Sequence, residues 1–188
     1  MASFILASRS PRRAQLLESA GLTFRVLAPD VEERRAPGEA PDAYAARLAR
    51  DKRDAVAARE PGAAVLAADT VVALGDDVLE KPLDDADATR MLRALAGREH
   101  QVHTAVAVRG PRGASDVVVS VTVRFRPLTD EEIARYVATG EPRDKAGSYG
   151  IQGLGGALVD EVHGSYTAVV GLPLRQSLEL LARVGALS

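Results

Sequence analysis

Between Gln101 and Arg126 the chain has little choice of structure. Val119, Val121, Val123 and Phe125 alternate with Ser120, Thr122, Arg124 and Arg126, and a period of two turns the first set to one face of a strand and the second to the other. Asp116–Arg126 therefore reads as a half-buried antiparallel strand. Gln101–Val108 reads as its neighbour, joined to it by Gly110-Pro111-Arg112-Gly113, a run of turn formers. The rest of the chain must build a sheet around that hairpin.

Strand and helix signals interleave along the remainder. Phe4–Ala7 reads as a short buried strand, and Ser10-Pro11 opens a helix, with serine suited to the N-cap and proline to the first helical position. Leu16 and Leu17 turn inward before Gly21 stops that helix, and Phe24–Leu27 reads as the next strand. A polar loop, Pro29 to Pro41, leads into a helix reaching about Arg59, with Tyr44, Leu48 and Val56 near helical spacing and Pro61 beyond its end. Ala64–Ala73 is apolar except for Asp69-Thr70. Asp84 or Asp85 caps a helix that runs to about Ala96 and closes at Gly97, and Thr129-Asp-Glu-Glu132 is a capping box for another that Gly140 ends. A glycine-rich loop, Gly147 to Gly156, precedes a strand near Ala157–Val162, and a helix from Pro173 to Val184 follows. Nothing reads as a linker. The expectation is one α/β unit over residues 1–188 built on a mixed sheet.

Composition excludes several functions. With 46% hydrophobic residues in 188, a chain of this size buries roughly 70% of its unfolded surface. The charge sum of 24 basic against 26 acidic residues is −2, and binding to nucleic acid or an anionic membrane needs a basic excess. Any anion site is therefore local. Without cysteine there is no disulfide, thiolate metal site or cysteine nucleophile, which suits a cytoplasmic protein. The short apolar run Phe4–Ala7 is followed by arginines, the reverse of a secretory signal, and charge interrupts every run well short of a membrane span.

The densest chemical signal is the junction Leu6-Ala-Ser-Arg-Ser-Pro-Arg-Arg13. Free N–H groups and the dipole at a helix start favour an anion, and Arg12 and Arg13 add guanidinium donors for phosphate oxygens. It lacks the spaced glycines and lysine of a Walker loop. Asp69 is out of place in an apolar strand; such an acid is either satisfied by backbone amides at a strand break or presented to a site. Glu32-Glu33 supplies further oxygen ligands of the kind Mg²⁺ takes, although an acidic loop pair is by itself more often only solvated. Lys52 and Lys81 are ordinary surface charges alone and complete a positive pocket if brought near Arg12 and Arg13. Among the five glycines of the last ten residues before Ala157, Ser148 and Gln152 stand out, and the Gln152 amide can read a base edge as donor and acceptor. A tight turn is the plainer reading. His100, His103 and His163 show no metal spacing and read as structural or solvated.

Taken in order, these segments resemble the Maf family of nucleoside triphosphate pyrophosphatases. The resemblance runs nearly end to end: Leu6 to Leu17, Val31-Glu-Glu33, Ala46-Arg-Leu-Ala-Arg-Asp-Lys52, Ala68-Asp-Thr-Val-Val72, Glu80-Lys-Pro82, His103-Thr-Ala-Val106, Glu141 to Gly156 and Gly164 to Pro173. It implies a fold similar to the inosine triphosphate pyrophosphatases, an elongated curved mixed sheet flanked by helices, with two lobes and a nucleotide cleft between them, commonly as a homodimer. It also implies hydrolysis of a nucleoside triphosphate to the monophosphate and pyrophosphate with a divalent cation, Mg²⁺, Mn²⁺ or Co²⁺. On this resemblance Asp69 is the general base, Glu33 a metal ligand with Asp69 sharing the ion, and Ser8, Arg12, Arg13, Lys52 and Lys81 surround the triphosphate. Arg12, Thr70 and Gln152 side with the subgroup acting on dTTP and UTP; the subgroup acting on 7-methyl-GTP has tryptophan, glutamine and glutamate there. A neutral amide suits a pyrimidine, whereas a carboxylate suits a cationic methylated guanine. CTP and modified pyrimidine triphosphates stay open as substrates. The competing expectations are a 7-methyl-GTP pyrophosphatase, a septum-formation regulator acting through partners, and a nucleotide-binding module without turnover.

Overall fold

The hairpin forms and outruns its alternating stretch. Strands β5 (Glu99–Gly110) and β6 (Gly113–Phe125) pair from Glu99 opposite Arg124 to Gly110 opposite Gly113, which leaves Pro111 and Arg112 as the turn. In this computed structural model residues 4–187 are described; the first three residues and the last of the expected 1–188 unit lie outside the described residues.

Around the hairpin lie β1 (Phe4–Ala7), α1 (Pro11–Ser19), β2 (Phe24–Val26), α2 (Pro41–Arg59), β3 (Val65–Leu74), β4 (Asp77–Leu79), α3 (Asp85–Leu95), α4 (Asp130–Ala138), β7 (Val159–His163), α5 (Tyr166–Val170) and α6 (Leu174–Arg183). The strands make one seven-stranded mixed sheet in the order β2-β1-β3-β5-β6-β7, with β4 also beside β3. Strand β1 runs parallel to both β2 and β3, and every other pairing is antiparallel. The sequence pattern did not reveal β4 or α5. Strand β4 is three residues long and α5 five, so neither shows a readable period. Gly75-Asp76 is nevertheless the two-residue turn that returns β4 onto β3, with Gly75 at φ +63°.

The pleat sorts the core. Ile5, Ala7, Val65, Ala67, Val71, Ala105 and Ala107 pack with Tyr44, Leu48, Val56 and other residues of α2. Their neighbours Phe4, Leu6, Leu66, Ala68, Val106 and Val108 face the other way, against Leu17 of α1 and Leu180 and Leu181 of α6. Farther along that second face, Val119, Val121, Val123 and Phe125 all join α3 and α4, as their alternation requires. Each fully buried side chain of this size contributes about 1.5–3 kcal/mol. The capping box on α4 forms as expected, and Asp84 caps α3 by accepting from the Asp87 amide at 2.8 Å.

One edge of β3 is interrupted. Strand β5 pairs with it from Val65 to Ala73. On the opposite edge β1 covers Val65–Ala67 and β4 covers Val72–Leu74, so Ala68–Val71 has no strand beside it. Strands β1 and β4 run toward this gap from opposite ends. The chain leaving β1 at Ser8 and the chain leaving β4 at Glu80-Lys81 therefore meet above Asp69 and Thr70.

Candidate active site

A cleft of about 660 Å³ opens over the gap, and Ser8, Arg12, Arg13, Glu33, Lys52, Asp69, Thr70, Lys81 and Gln152 all line it. These nine share one cavity, whereas Glu32 lies outside it and Ser148 is buried beneath, its hydroxyl donating to Met91 Sδ at 3.1 Å. A crevice where parallel strands end and the chain diverges is the usual ligand site of α/β sheets. Helix α1 starts there. Ser10 is its N-cap in extended conformation, but its side chain makes no capping bond; instead its amide donates to Ser8 Oγ at 3.0 Å. The positive end of α1 is left facing the cleft rather than being closed by its own cap.

Asp69 and Thr70 are consecutive on β3 and so point to opposite faces. Asp69 faces α2, where Tyr44, Leu48, Lys52 and Val56 recur every four residues as one buried stripe. That stripe delivers Lys52 to the carboxylate: Nζ lies 2.5 Å from Asp69 Oδ1 and 2.8 Å from Glu33 Oε1. Asp69 is only 6% exposed. Burial pushes its carboxyl above the usual range against the opposing pull of Lys52 and Arg13. Burial acts on Glu33 in the same sense, but the hydrogen bond and charge of Lys52, with Lys81 and Arg13, hold it below its ordinary value.

On the other side of the gap, Arg13 donates to Gly171 O at 2.8 Å, Ser8 Oγ at 3.3 Å and Thr70 Oγ1 at 3.2 Å. Three of its five donors are thereby committed. Burial lowers its guanidinium pKa, opposed by the charge of Asp69. Arg12 reaches across the mouth to Asp144 at 3.5 Å, and Gln152 stands exposed at the rim. Sequence reasoning passed over four further lining residues. Tyr44 donates to Glu80 at 3.3 Å, and Asp144 pairs with Lys145 at 2.6 Å. Glu80, Asp144 and Lys145 lie inside motifs already quoted, but a charged residue in a turn looks solvated until the fold turns it inward.

A family model described as Maf-like protein matches residues 3–184. The chain belongs to the Maf family. Among its relatives, the dTTP/UTP pyrophosphatase of Escherichia coli O157:H7 is 53% identical over 188 residues, all of this chain and 95% of that protein. The dTTP/UTP pyrophosphatase of Escherichia coli K12 and a nucleoside triphosphate pyrophosphatase of Shigella flexneri are each 52% identical over the same shares.

In this Maf chain Glu33 and Asp69 fit a divalent cation. They are hard oxygen donors that already converge on one positive charge, the Lys52 ammonium, and Mg²⁺ characteristically takes one or two carboxylates with waters and substrate phosphates. Among the described residues no three histidine, aspartate or glutamate side chains gather into a metal site. Further oxygens would come from solvent and ligand. Among the described residues no helix is long and apolar enough to cross a membrane.

Proposed function

We propose that this Maf chain hydrolyses dTTP and UTP to the nucleoside monophosphate and pyrophosphate, using a divalent cation held by Glu33 and Asp69. The observation that carries the reading is the gap in β3, which sets a buried carboxylate beside the open end of α1 and the arginines that follow it. Full-length relatives more than half identical are named for this activity. When bound, the cation neutralises phosphate charge and acidifies a water. Asp69 takes a proton from the water that attacks the α-phosphorus, and the bond to the bridging oxygen breaks to release pyrophosphate. Without a cation, burial raises the Asp69 carboxyl above the usual range, the direction that favours proton uptake. Ser8, Arg12, Arg13 and Lys81 hold the phosphates where charge builds on the leaving group, and Lys52, between Glu33 and Asp69 in the same cleft, is placed to meet a phosphate too. Gln152 at the rim reads the base.

The test is a pyrophosphate-release screen over natural and modified triphosphates with Mg²⁺, Mn²⁺ or Co²⁺. Release is expected to be fastest with dTTP and UTP and to stop with EDTA. Much faster cleavage of 7-methyl-GTP overturns the substrate assignment, and turnover unaffected by EDTA overturns the cation.

A further inference from the structure

The hydrogen bonds behind Arg13 close into a ring. Arg13 Nη2 donates to Thr70 Oγ1 at 3.2 Å, and Thr70 Oγ1 lies 3.0 Å from Thr104 Oγ1. Thr104 Oγ1 donates to Ala168 O at 2.8 Å. The amide of Gly171 donates to the same carbonyl at 3.0 Å, and Gly171 O accepts from Arg13 Nε at 2.8 Å. The ring ties α1, β3, β5 and the end of α5 together. Its two threonines are opposite one another in the β3–β5 register.

Donor and acceptor counting assigns every proton in it. A carbonyl has no proton to give, so Thr104 spends its single hydroxyl proton on Ala168 O. The bond between the threonines must then be donated by Thr70. That leaves only lone pairs of Thr70 Oγ1 facing the guanidinium, which is the orientation a cation requires. Gly171 closes the other side with φ +127°, a conformation that favours glycine, and a Cβ there would lie 3.6 Å from both Arg13 Nε and Thr70 Oγ1.

We propose that Thr104, fully buried and absent from the cleft lining, is a positioning residue that fixes Arg13 toward the phosphates by setting the direction of the Thr70 hydroxyl. The proposal rests on the pyrophosphatase reading and deepens it. Thr70 has no proton left to offer a base and keeps one free lone pair, so the placement of Arg13 is a second route by which it acts on the substrate.

Thr104→Val keeps the shape and removes the hydroxyl. It frees the Thr70 proton to turn against the guanidinium. The expected loss in kcat/KM for dTTP is about tenfold, with Thr104→Ser restoring activity to within about twofold. Thr70→Ala cuts the same link without touching the buried site, and its loss should not add to that of Thr104→Val. The deciding measurement is a double-mutant cycle. In an Arg13→Ala background Thr104→Val should cost nothing further, whereas an equal loss in both backgrounds, or failure of serine to rescue, overturns the proposal. Calorimetric binding of tripolyphosphate supplies a readout independent of turnover. Weakened binding in Thr104→Val by a protein that cleaves no nucleotide keeps the ring and sinks the pyrophosphatase reading; wild-type activity and binding in Thr104→Val sink the ring alone.

Discussion

Asp69 occupies a position where its charge is costly unless something beside it carries the opposite sign. Lys52 at 2.5 Å answers that need and also reaches Glu33, so one ammonium serves two carboxylates and a negative charge remains. That remainder is what a divalent cation would neutralise. Asp69→Asn keeps an oxygen within reach of Lys52 while removing the base. The expected result is a fall in pyrophosphate release of about 10²–10⁴-fold, with thermal unfolding by calorimetry within a few degrees of the parent, because the amide removes a buried charge and leaves Lys52 paired with Glu33. Retained turnover would take the base role from Asp69. The residue was legible as an anomaly, since an acid in an apolar run shows without a structure. Thr104 was not: a threonine in a strand is unremarkable, and its meaning depends on the register that sets it opposite Thr70.

At the level of elements, local signals carried the hairpin and the caps of α3 and α4, whose determinants lie within a few residues of each other. The glycine-rich stretch carried only half of its information. It folds into 3-10 turns at Glu141–Asp144, Ala146–Ser148 and Leu154–Leu158, organised by a residue at its start. The Glu141 carboxylate accepts from Tyr136 Oη at 2.9 Å and from the amides of Leu154 and Gly155 at 2.9 and 3.0 Å. A Cβ on Gly155 would lie 2.5 Å from Tyr136 Oη and 2.8 Å from Gly150 O, so the loop closes only around glycine. Gln152 is thereby presented at the rim by a carboxylate eleven positions away, a link no short motif displays. Glu141→Ala leaves two amides and a hydroxyl without their acceptor. It should cost about 2 kcal/mol in urea unfolding, speed amide exchange at Leu154 and Gly155, and raise KM more than it lowers kcat. Unchanged exchange at those two amides would show that the turns hold themselves.

Over the whole molecule the charge sum is −2, and the cleft is close to balance as well. Six cationic and five acidic residues line it, so the site is nearly neutral, with Lys52 and Arg12 engaged by carboxylates of the chain. Binding a triphosphate with a cation would therefore be an exchange of partners, and the motif reading, which gathered Arg12, Arg13, Lys52 and Lys81 into a positive pocket, could not show those pairings. Global stability has its own titrating group beneath the cleft. His100 is 2% exposed, packed edge-on between Phe125 and Tyr149, with Nε2 2.7 Å from Tyr149 Oη and Nδ1 without a partner among the described residues. Burial lowers its pKa from 6.5 to about 4. Between those values the unfolded chain binds a proton that the folded chain refuses, so stability is complete above pH 6.5 and declines as the pH falls toward 4. The shift corresponds to a loss on the order of 3 kcal/mol across the window. Urea unfolding at pH 7, 5.5 and 4.5 should show the decline, and His100→Gln, whose amide keeps a partner for Tyr149 without titrating, should be less stable at pH 7 yet lose less on acidification. Parallel curves for the two proteins would assign the acid sensitivity to other groups. Because Tyr149 also lines the cleft, protonation at His100 acts on the floor under the glycine-rich turns, and amide exchange there should accelerate before the rest of the sheet.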